Sequence, residues 1–175
     1  MFRPALIAAA LAFSLTGCQT TYEQATQRLG QAALHFPDGS PAGTARLIAQ
    51  GDRVDIAVSL TGLMEGQHGL HLHMTGRCTA PDFASAGGHL NPANRAHGHE
   101  NPAGTHLGDL PNAIVNASGT ANVSATLPGS RAEVLAEIFD GDGTAIVVHA
   151  GPDDYRTDPA GNSGGRIACG AFSAG

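Results

Sequence analysis

The sequence predicts an all-β domain, an antiparallel sandwich or barrel of about eight short strands with two long functional loops. The chain of 175 residues is rich in turn-forming residues, with 24 Gly and 10 Pro, and it has no Trp. Apolar and polar residues alternate over short runs, with the period of two that a half-buried strand requires. Residues 75–111 and 150–163 break this alternation, and structureless loops of such length are usually either functional or disordered.

The strands are expected to follow one another from residue 30, where the folded domain of residues 30–175 should begin. Ala32, Leu34 and Phe36 share one face of the first strand, and the turn PDGSP follows it. Further strand-like runs lie at 45–49, 54–61, 68–73, 112–117, 121–127, 146–149 and 164–172. The segment RAEVLAEIF at 131–139 is ambiguous, because its pattern also allows one or two helical turns.

The first 17 residues have the character of an export signal. Arg3 is their only charged side chain, and the apolar run from residue 5 to residue 15 is too short to span a bilayer. The run ends in LTGC, which resembles the bacterial lipoprotein signal. Residues 1–17 are therefore expected to be removed and the Cys18 thiol to be lipidated. An ordinary secretory signal followed by a coincidental cysteine is the alternative.

Residues 18–29 are expected to form a polar tether between the lipid and the domain. By the same resemblance, Gln19 after the lipidated cysteine favours anchoring on the periplasmic face of the outer membrane. An exported protein meets an oxidising compartment, which favours a disulfide between the two remaining cysteines, Cys78 and Cys169. The formal net charge is −6 and no basic run occurs, so no nucleic-acid partner is expected.

The segment HGLHLH at residues 68–73 carries the first chemical signal. In a strand, residues two apart point to the same side, so His71 and His73 project together while Leu70, Leu72 and Met74 cover the opposite face. Two convergent imidazoles suit a metal ion. A half-solvated strand that happens to carry histidine is the alternative.

Further ligand-type residues lie in the first long loop and at the end of a later strand. His89, His97, His106 and Asp109 are spaced by eight, nine and three residues. Three neutral imidazoles and one carboxylate form a good tetrahedral zinc set. His149 ends the strand AIVVHA and would join the pair in HGLHLH, and a group of imidazoles on a rigid sheet suits copper.

Taken together, these segments resemble those of the copper–zinc superoxide dismutases. The matching segments are HGLHLH, GGHLNP, HLGDLPN, VVHAGPDD and NSGGRIACG, in the family's order, and the similarity covers about residues 30–172. The resemblance implies an eight-stranded Greek-key sandwich or barrel with copper and zinc as cofactors. The phrase GRCTAPDFASAGGH is closer to bacterial members than to animal ones. The two groups dimerise through different surfaces, and the sequence leaves open whether this chain is a monomer or a homodimer.

The resemblance also implies a role for each ligand. The implied copper ligands are His71, His73, His89 and His149. The implied zinc ligands are His89, His97, His106 and Asp109, so His89 would bridge the two ions as an imidazolate.

The remaining implied roles surround the ligands. Asp153 matches the carboxylate that hydrogen-bonds one copper and one zinc histidine, expected to be His71 and His97, although the neighbouring Asp154 is an alternative. Arg166 matches the arginine that guides the anionic substrate.

Cys78 and Cys169 match the family disulfide, which ties the long loop to the strand carrying the arginine. His68 matches a structural histidine. His35 and His99 match nothing, and they are expected on a solvent-facing strand position and on a loop surface.

The implied reaction converts two superoxide anions and two protons into O2 and H2O2, with copper alternating between Cu(II) and Cu(I). Arg166 and His89 are the implied catalytic residues, the second as a proton carrier. Because superoxide crosses membranes poorly, an exported enzyme would protect the cell envelope from external superoxide. Two rival functions are a domain that buffers or delivers metal and a purely structural β-sandwich.

Overall fold

The computed structural model describes residues 27–175, which fold mostly into β-structure. The predicted signal (1–17), Cys18 and most of the tether lie outside the described residues. Within them, the strands are β1 Arg28–His35, β2 Pro41–Gln50, β3 Arg53–Leu60, β4 Gly66–His68, β5 Leu70–His73, β6 Ala113–Val115, β7 Ala121–Leu127, β8 Ala145–His149, β9 Arg166–Ala171 and β10 Ser173–Ala174. The helical elements are α1 Arg131–Ile138 and a short 3-10 turn at Ala84–Ala86.

Eight of the strands form one curled antiparallel sheet, in the order β5-β8-β9-β1-β2-β3-β7 with β10 paired to β1. Strand β9 is near the end of the chain but lies between β8 and the first strand, β1. Such a return to an early strand through a long connection is typical of the Greek-key topology. A two-stranded ribbon of β4 and β6 completes the fold. The predicted all-β antiparallel class is confirmed.

The inward faces of the strands enclose one main hydrophobic core. Leu34, Leu47, Ile56 and Ile146 are completely buried there, and each lies on the inward face expected of an alternating strand. Leu70 and Leu72 of β5 join the same core, which leaves the two histidines of β5 on its other face. Met74 does not share the core position expected for it, because β5 ends at His73 and the methionine side chain is 49% exposed.

The structure has more β-segments than the eight expected, chiefly because the HGLHLH strand is divided at Gly69. The Gly69 N–H donates to the carbonyl of Gly151 in the second long loop. A side chain at Gly69 would lie 2.7 Å from Ser163 Oγ, so only glycine fits this contact. Strand β4 pairs with β6, and β5 pairs with β8 instead.

Two other boundaries differ from the expectation. Strand β1 begins at Arg28, two residues before the expected start of the domain. The ambiguous segment 131–139 is the helix α1, because Ser130 and Glu133 form a reciprocal capping box at its start. Val134 and Ile138, four residues apart, are the buried residues of its inner face. Among the described residues no helix is long and apolar enough to cross a membrane.

Candidate metal centre

The first long loop packs along the free edge of β5 and brings its ligands beside those of the strand. The backbone N–H of Leu72 donates to Gly108 at 2.8 Å, and Leu72 accepts from the N–H of Leu90 at 2.8 Å. Bridge pairs then set His73 opposite His89 and His71 opposite Asp109. The loop residues therefore reach the strand histidines through ordinary β-ladder bonds.

Four imidazoles converge on one point. The ligand atoms of His71, His73, His89 and His149 lie within 4.8 Å of one another, and all four residues are buried. One nitrogen of each ring has no hydrogen-bond partner, namely His71 Nδ1, His73 Nε2, His89 Nε2 and His149 Nε2. A buried polar atom without a partner costs roughly 1–3 kcal/mol, so four unpaired nitrogens in one place fit a metal ion that binds all of them.

The other nitrogen of three of these rings is held in the tautomer that metal binding needs. His71 Nε2 lies 2.9 Å from Asp153 Oδ2, His73 Nδ1 lies 2.9 Å from the Gly87 carbonyl, and His149 Nδ1 lies 3.1 Å from the Gly164 carbonyl. These oxygens only accept, so each of these ring nitrogens carries the proton and donates it. The opposite nitrogen then keeps its lone pair for the metal.

A second group surrounds one carboxylate oxygen. Asp109 Oδ1 lies 3.0 Å from His106 Nδ1, 3.1 Å from His89 Nδ1 and 3.1 Å from His97 Nδ1. His89 Nδ1 and His106 Nδ1 are 3.3 Å apart. The ligands of a tetrahedral zinc ion with bonds of about 2.0 Å stand about 3.3 Å from one another, so these four atoms fit that geometry.

His89 contributes one nitrogen to each group, Nε2 to the four-imidazole group and Nδ1 to the Asp109 group. The ligand atoms of His71, His89, His97 and Asp109 also lie within 4.8 Å of one another. We assign His71 to the first group, because Asp153 holds its Nε2 and its Nδ1 is unpaired. His106 belongs to the second group, because its Nε2 donates to the Arg95 carbonyl at 3.1 Å and its Nδ1 faces Asp109.

Asp109 is oriented by its other oxygen. Asp109 Oδ2 accepts hydrogen bonds from the Gly98 N–H at 2.9 Å, the Thr105 hydroxyl at 2.7 Å and the His106 N–H at 3.0 Å. These bonds hold the carboxylate so that Oδ1 faces the three imidazoles. The zinc-type group is therefore fixed by its own loop.

Asp153 joins the two groups, as the sequence led us to expect. Its Oδ2 accepts from His71 Nε2 and its Oδ1 accepts from His97 Nε2, both at 2.9 Å. The alternative, Asp154, is exposed, and its carboxylate accepts from backbone N–H groups of its own turn. Gly161 makes the arrangement possible, because a Cβ there would lie 1.8 Å from Asp153 Oδ1.

Burial keeps the four-imidazole group in the form that binds metal. It lowers the pKa of His73 to about 2, that of His149 to about 3 and that of His89 to about 4. Burial also lowers the pKa of His71, in this case against the opposing effect of Asp153. At neutral pH these rings are uncharged, so their unpaired nitrogens are available to a cation.

The second group has the opposite electrostatics. Burial acts to lower the pKa of His97, but the nearby carboxylate of Asp109 and the hydrogen bond from His97 Nε2 to Asp153 outweigh it and raise that pKa to about 9. Burial acts to raise the pKa of each carboxyl group, yet the histidine hydrogen bonds hold both well below the usual range. Without metal, His97 therefore carries a proton that zinc must displace.

Arg166 stands beside the four-imidazole group. It pairs with His149 across β8 and β9, and its guanidinium donates to the carbonyls of Phe83 at 2.7 Å and Gly87 at 2.6 Å. The Gly87 carbonyl also holds His73. The charge of Arg166 contributes, after burial, to the low pKa values of His73 and His149, so its field reaches these ligands.

The predicted disulfide is confirmed. Cys78 and Cys169 are bonded, with Cα atoms 5.6 Å apart and a sequence separation of 91. Cys169 lies three residues after Arg166 in β9, so the bond ties the loop that supplies Phe83 and Gly87 to the strand that carries the arginine.

The three remaining histidines of the described region lie outside both groups. His68 is buried, and its ring nitrogens lie 2.8 Å from the His149 carbonyl and 3.0 Å from the Met64 carbonyl. His35 is exposed on β1, and His99 is exposed on the first loop. Sequence reasoning missed two residues that support Asp153, namely Asn112 and Tyr155. Of the two, Asn112 lies in the matched segment HLGDLPN, so this motif could have indicated it.

The curled antiparallel sheet carries two adjoining groups of metal ligands, and His89 belongs to both. This arrangement is typical of proteins with a two-metal centre. Residues 41–172 match the model of the family described as "Copper/zinc superoxide dismutase (SODC)", and the chain belongs to this family. Copper and zinc are accordingly its cofactors.

Curated relatives agree with this assignment. The chain is 40% identical over 144 residues to "Superoxide dismutase [Cu-Zn] 2" of Aquifex aeolicus, covering 81% of this chain and 84% of that one. It is 45% identical over 122 residues to "Superoxide dismutase-like protein YojM" of Bacillus subtilis, which covers 68% of this chain and 62% of the relative's length. Among solved structures, a double mutant of a SOD-like protein from Bacillus subtilis matches with a TM-score of 0.74 at 42% identity, covering 81% and 95% of the two chains. The Cu/Zn superoxide dismutase from Brucella abortus matches with a TM-score of 0.63 at 29% identity, covering 81% and 97%.

Proposed function

We propose that this chain converts superoxide to O2 and H2O2, with copper held by His71, His73, His89 and His149. Zinc would be held by His89, His97, His106 and Asp109. The observation that carries the proposal is the division of the His89 ring between the two groups, with Nε2 unpaired in one and Nδ1 3.1 Å from Asp109 Oδ1 in the other. A domain built to bind one metal at a time has no need of a shared ligand.

The chain's own residues would divide the work of the reaction. Bound copper supplies the one-electron redox chemistry, and bound zinc supplies a fixed charge. Arg166 attracts the anion and orients it beside the copper ligands, because two carbonyls hold its guanidinium in place. His89 Nε2 takes up a proton and delivers it to the reduced product, while its Nδ1 remains on the zinc side. Two superoxide anions and two protons thus give one O2 and one H2O2.

The local charge of the centre has to overcome the negative charge of the chain. The formal net charge is −6, which repels a superoxide anion at long range. Exposed charges beyond about 8 Å are largely screened at physiological salt, so Arg166 and the bound ions dominate at the site. The principle of electrostatic steering is well established for this enzyme family, and Arg166 is the residue that would provide it here.

A substitution at His89 tests the proposed function against metal buffering. We expect His89→Gln to bind copper with three imidazoles and to lose most of its dismutase activity, because the shared ligand and proton carrier is gone. Copper and zinc content and the rate of superoxide decay would be measured on the same samples. Wild-type protein that holds both metals without dismutase activity would favour the metal-buffering alternative.

We further propose that the chain is exported and lipid-anchored through Cys18, and that it protects the cell envelope from external superoxide. The apolar run before LTGC supports the anchor, and the Cys78–Cys169 disulfide is typical of an oxidising compartment. We propose no nucleic-acid partner, because a net charge of −6 opposes binding to the phosphate backbone. Labelling of the full chain with a fatty-acid analogue in a bacterial host tests the anchor. The label should be incorporated by the wild-type chain and absent from Cys18→Ser.

A further inference from the structure

Tyr155 lies where the two long loops meet, and its backbone conformation is unusual. Its φ angle is +61°, in the left-handed region that bulky residues rarely adopt. Such a conformation costs of order 1–3 kcal/mol and persists only where the surrounding contacts impose it, commonly at functional segments. The side chain is half-buried, so simple exposure of a loop tip does not explain it.

The hydroxyl, the backbone and the ring of Tyr155 contact residues of the first long loop, of the segment after it, and of its own loop. The Tyr155 hydroxyl accepts from the backbone N–H of Asn112 at 2.7 Å, and the Tyr155 N–H donates to Asp153 Oδ1 at 2.7 Å. Its carbonyl accepts from the N–H of Glu100 at 3.0 Å. Its ring meets the ring of His99 edge-on, with the centroids 5.7 Å apart.

These contacts enclose the zinc-type group. Glu100 follows His97 by three residues, and Asn112 follows Asp109 by three. The Asn112 side chain also exchanges two hydrogen bonds with the Asp153 backbone, donating to its carbonyl at 2.9 Å and accepting from its N–H at 2.8 Å. Zinc therefore cannot leave by a separation of the His97 and Asp109 segments unless the Tyr155 contacts break.

We propose that Tyr155 is a positioning residue that slows the loss of zinc by clamping both ligand segments to Asp153. The proposal rests on the zinc assignment made under Proposed function. The close packing at the clamp supports it, because a Cβ at Gly98 would lie 2.0 Å from the Tyr155 carbonyl oxygen. Any residue larger than glycine at position 98, beside His97, would clash with the Tyr155 backbone.

Tyr155→Phe is the most selective test. It removes only the hydroxyl, keeps the ring beside His99, and leaves the Asn112 N–H without its acceptor. A lost hydrogen bond at a partly buried site corresponds to a change of about five- to tenfold, and we expect zinc to dissociate from the copper–zinc protein faster by that factor. Zinc release would be followed by the colour of a chelator added in excess.

Two controls separate positioning from general stability. Thr126→Val removes a hydroxyl that donates to Asp55 at 2.7 Å on the far part of the sheet, and it should leave zinc release unchanged. The hydroxyl bond is also present without metal, so metal-free Tyr155→Phe should lose a little stability. The zinc-loaded variant should lose more than that, because a clamp on the zinc group also acts through the bound zinc.

Three results would overturn the proposal. One is wild-type zinc release from Tyr155→Phe, and another is an equal loss of stability with and without metal, which would indicate a structural role only. The third is a wild-type protein that retains no zinc, and this result alone would also refute the zinc assignment.

Discussion

Acid should destabilise the metal-free protein at pH values where ordinary carboxylates remain ionised. Burial lowers the pKa of His73 to about 2, of His149 to about 3 and of His89 to about 4, whereas an unfolded histidine titrates near 6.5. The contribution of such a group to stability is complete above the unfolded pKa. It is lost as the pH falls towards the folded pKa, because the unfolded chain takes up protons that the folded chain does not.

The expected loss is large for a single domain. Each of the three histidines contributes a slope of about 1.4 kcal/mol per pH unit below 6.5. At pH 5 each has lost about 2 kcal/mol relative to pH 8, and the three together have lost about 6 kcal/mol. His97 acts in the opposite direction, because its raised pKa of about 9 adds about 2 kcal/mol of stability between pH 8 and pH 5. The net loss is therefore about 4 kcal/mol, a large part of the roughly 5–15 kcal/mol by which domains of this size are stable.

Urea unfolding of the metal-free protein at pH 8, 7, 6 and 5 measures this loss directly. His149→Gln removes one of the three titrating groups and should lose about 2 kcal/mol less between pH 8 and pH 5. The copper–zinc protein should be more stable at each pH, but it should lose at least as much between pH 8 and pH 5, because bound metals keep every ligand ring, including His97, unprotonated in the folded state. An equal free energy of unfolding for the metal-free wild type at pH 8 and pH 5 would show that burial does not hold these histidines uncharged in the folded protein.

Three further outcomes follow from the site. Arg166→Glu should lower the dismutation rate at least tenfold and weaken its dependence on ionic strength, whereas Arg46→Glu on β2 should have little effect; an unchanged Arg166 variant would exclude steering by this residue. Replacing Cys78 and Cys169 by serine should lower the free energy of unfolding by about 4–5 kcal/mol, the chain-entropy value for a loop of this length, measured by urea titration under non-reducing conditions. Asp153→Asn should weaken zinc binding 10- to 100-fold, because the amide replaces one carboxylate oxygen by an NH2 group, which cannot accept from the imidazole N–H that faces it; chelator competition that shows wild-type affinity would contradict this.

The sequence predicted the ligand face of β5 because a strand has a fixed period of two. His71 and His73 had to share a side once the segment formed a strand, and Leu70 and Leu72 had to occupy the core. The division of the strand at Gly69 was not predictable in the same way. It depends on a contact with residues 151 and 163, which are more than 80 positions away.

Contacts between distant parts of the sequence were even harder to predict in the loops. Asp153 and Asp154 are adjacent and chemically identical, and no periodicity in a loop decides which one faces the metal groups. The contacts of Asn112 and Tyr155 join segments about 40 residues apart, so local pattern gave no indication of them. The segment 131–139 was ambiguous because its short apolar pattern did not decide between strand and helix, and the capping box of Ser130 and Glu133 was the signal that would have settled it.

Metal content and dismutase activity, measured on one sample of the purified protein, decide whether this metal centre is catalytic. We expect one copper and one zinc per chain, with activity that is lost when copper is removed and regained when copper is restored. Full occupancy by both metals without dismutase activity would contradict it. That result would mean that Arg166 and the access to the copper ligands do not serve a superoxide anion, and that the centre stores metal instead.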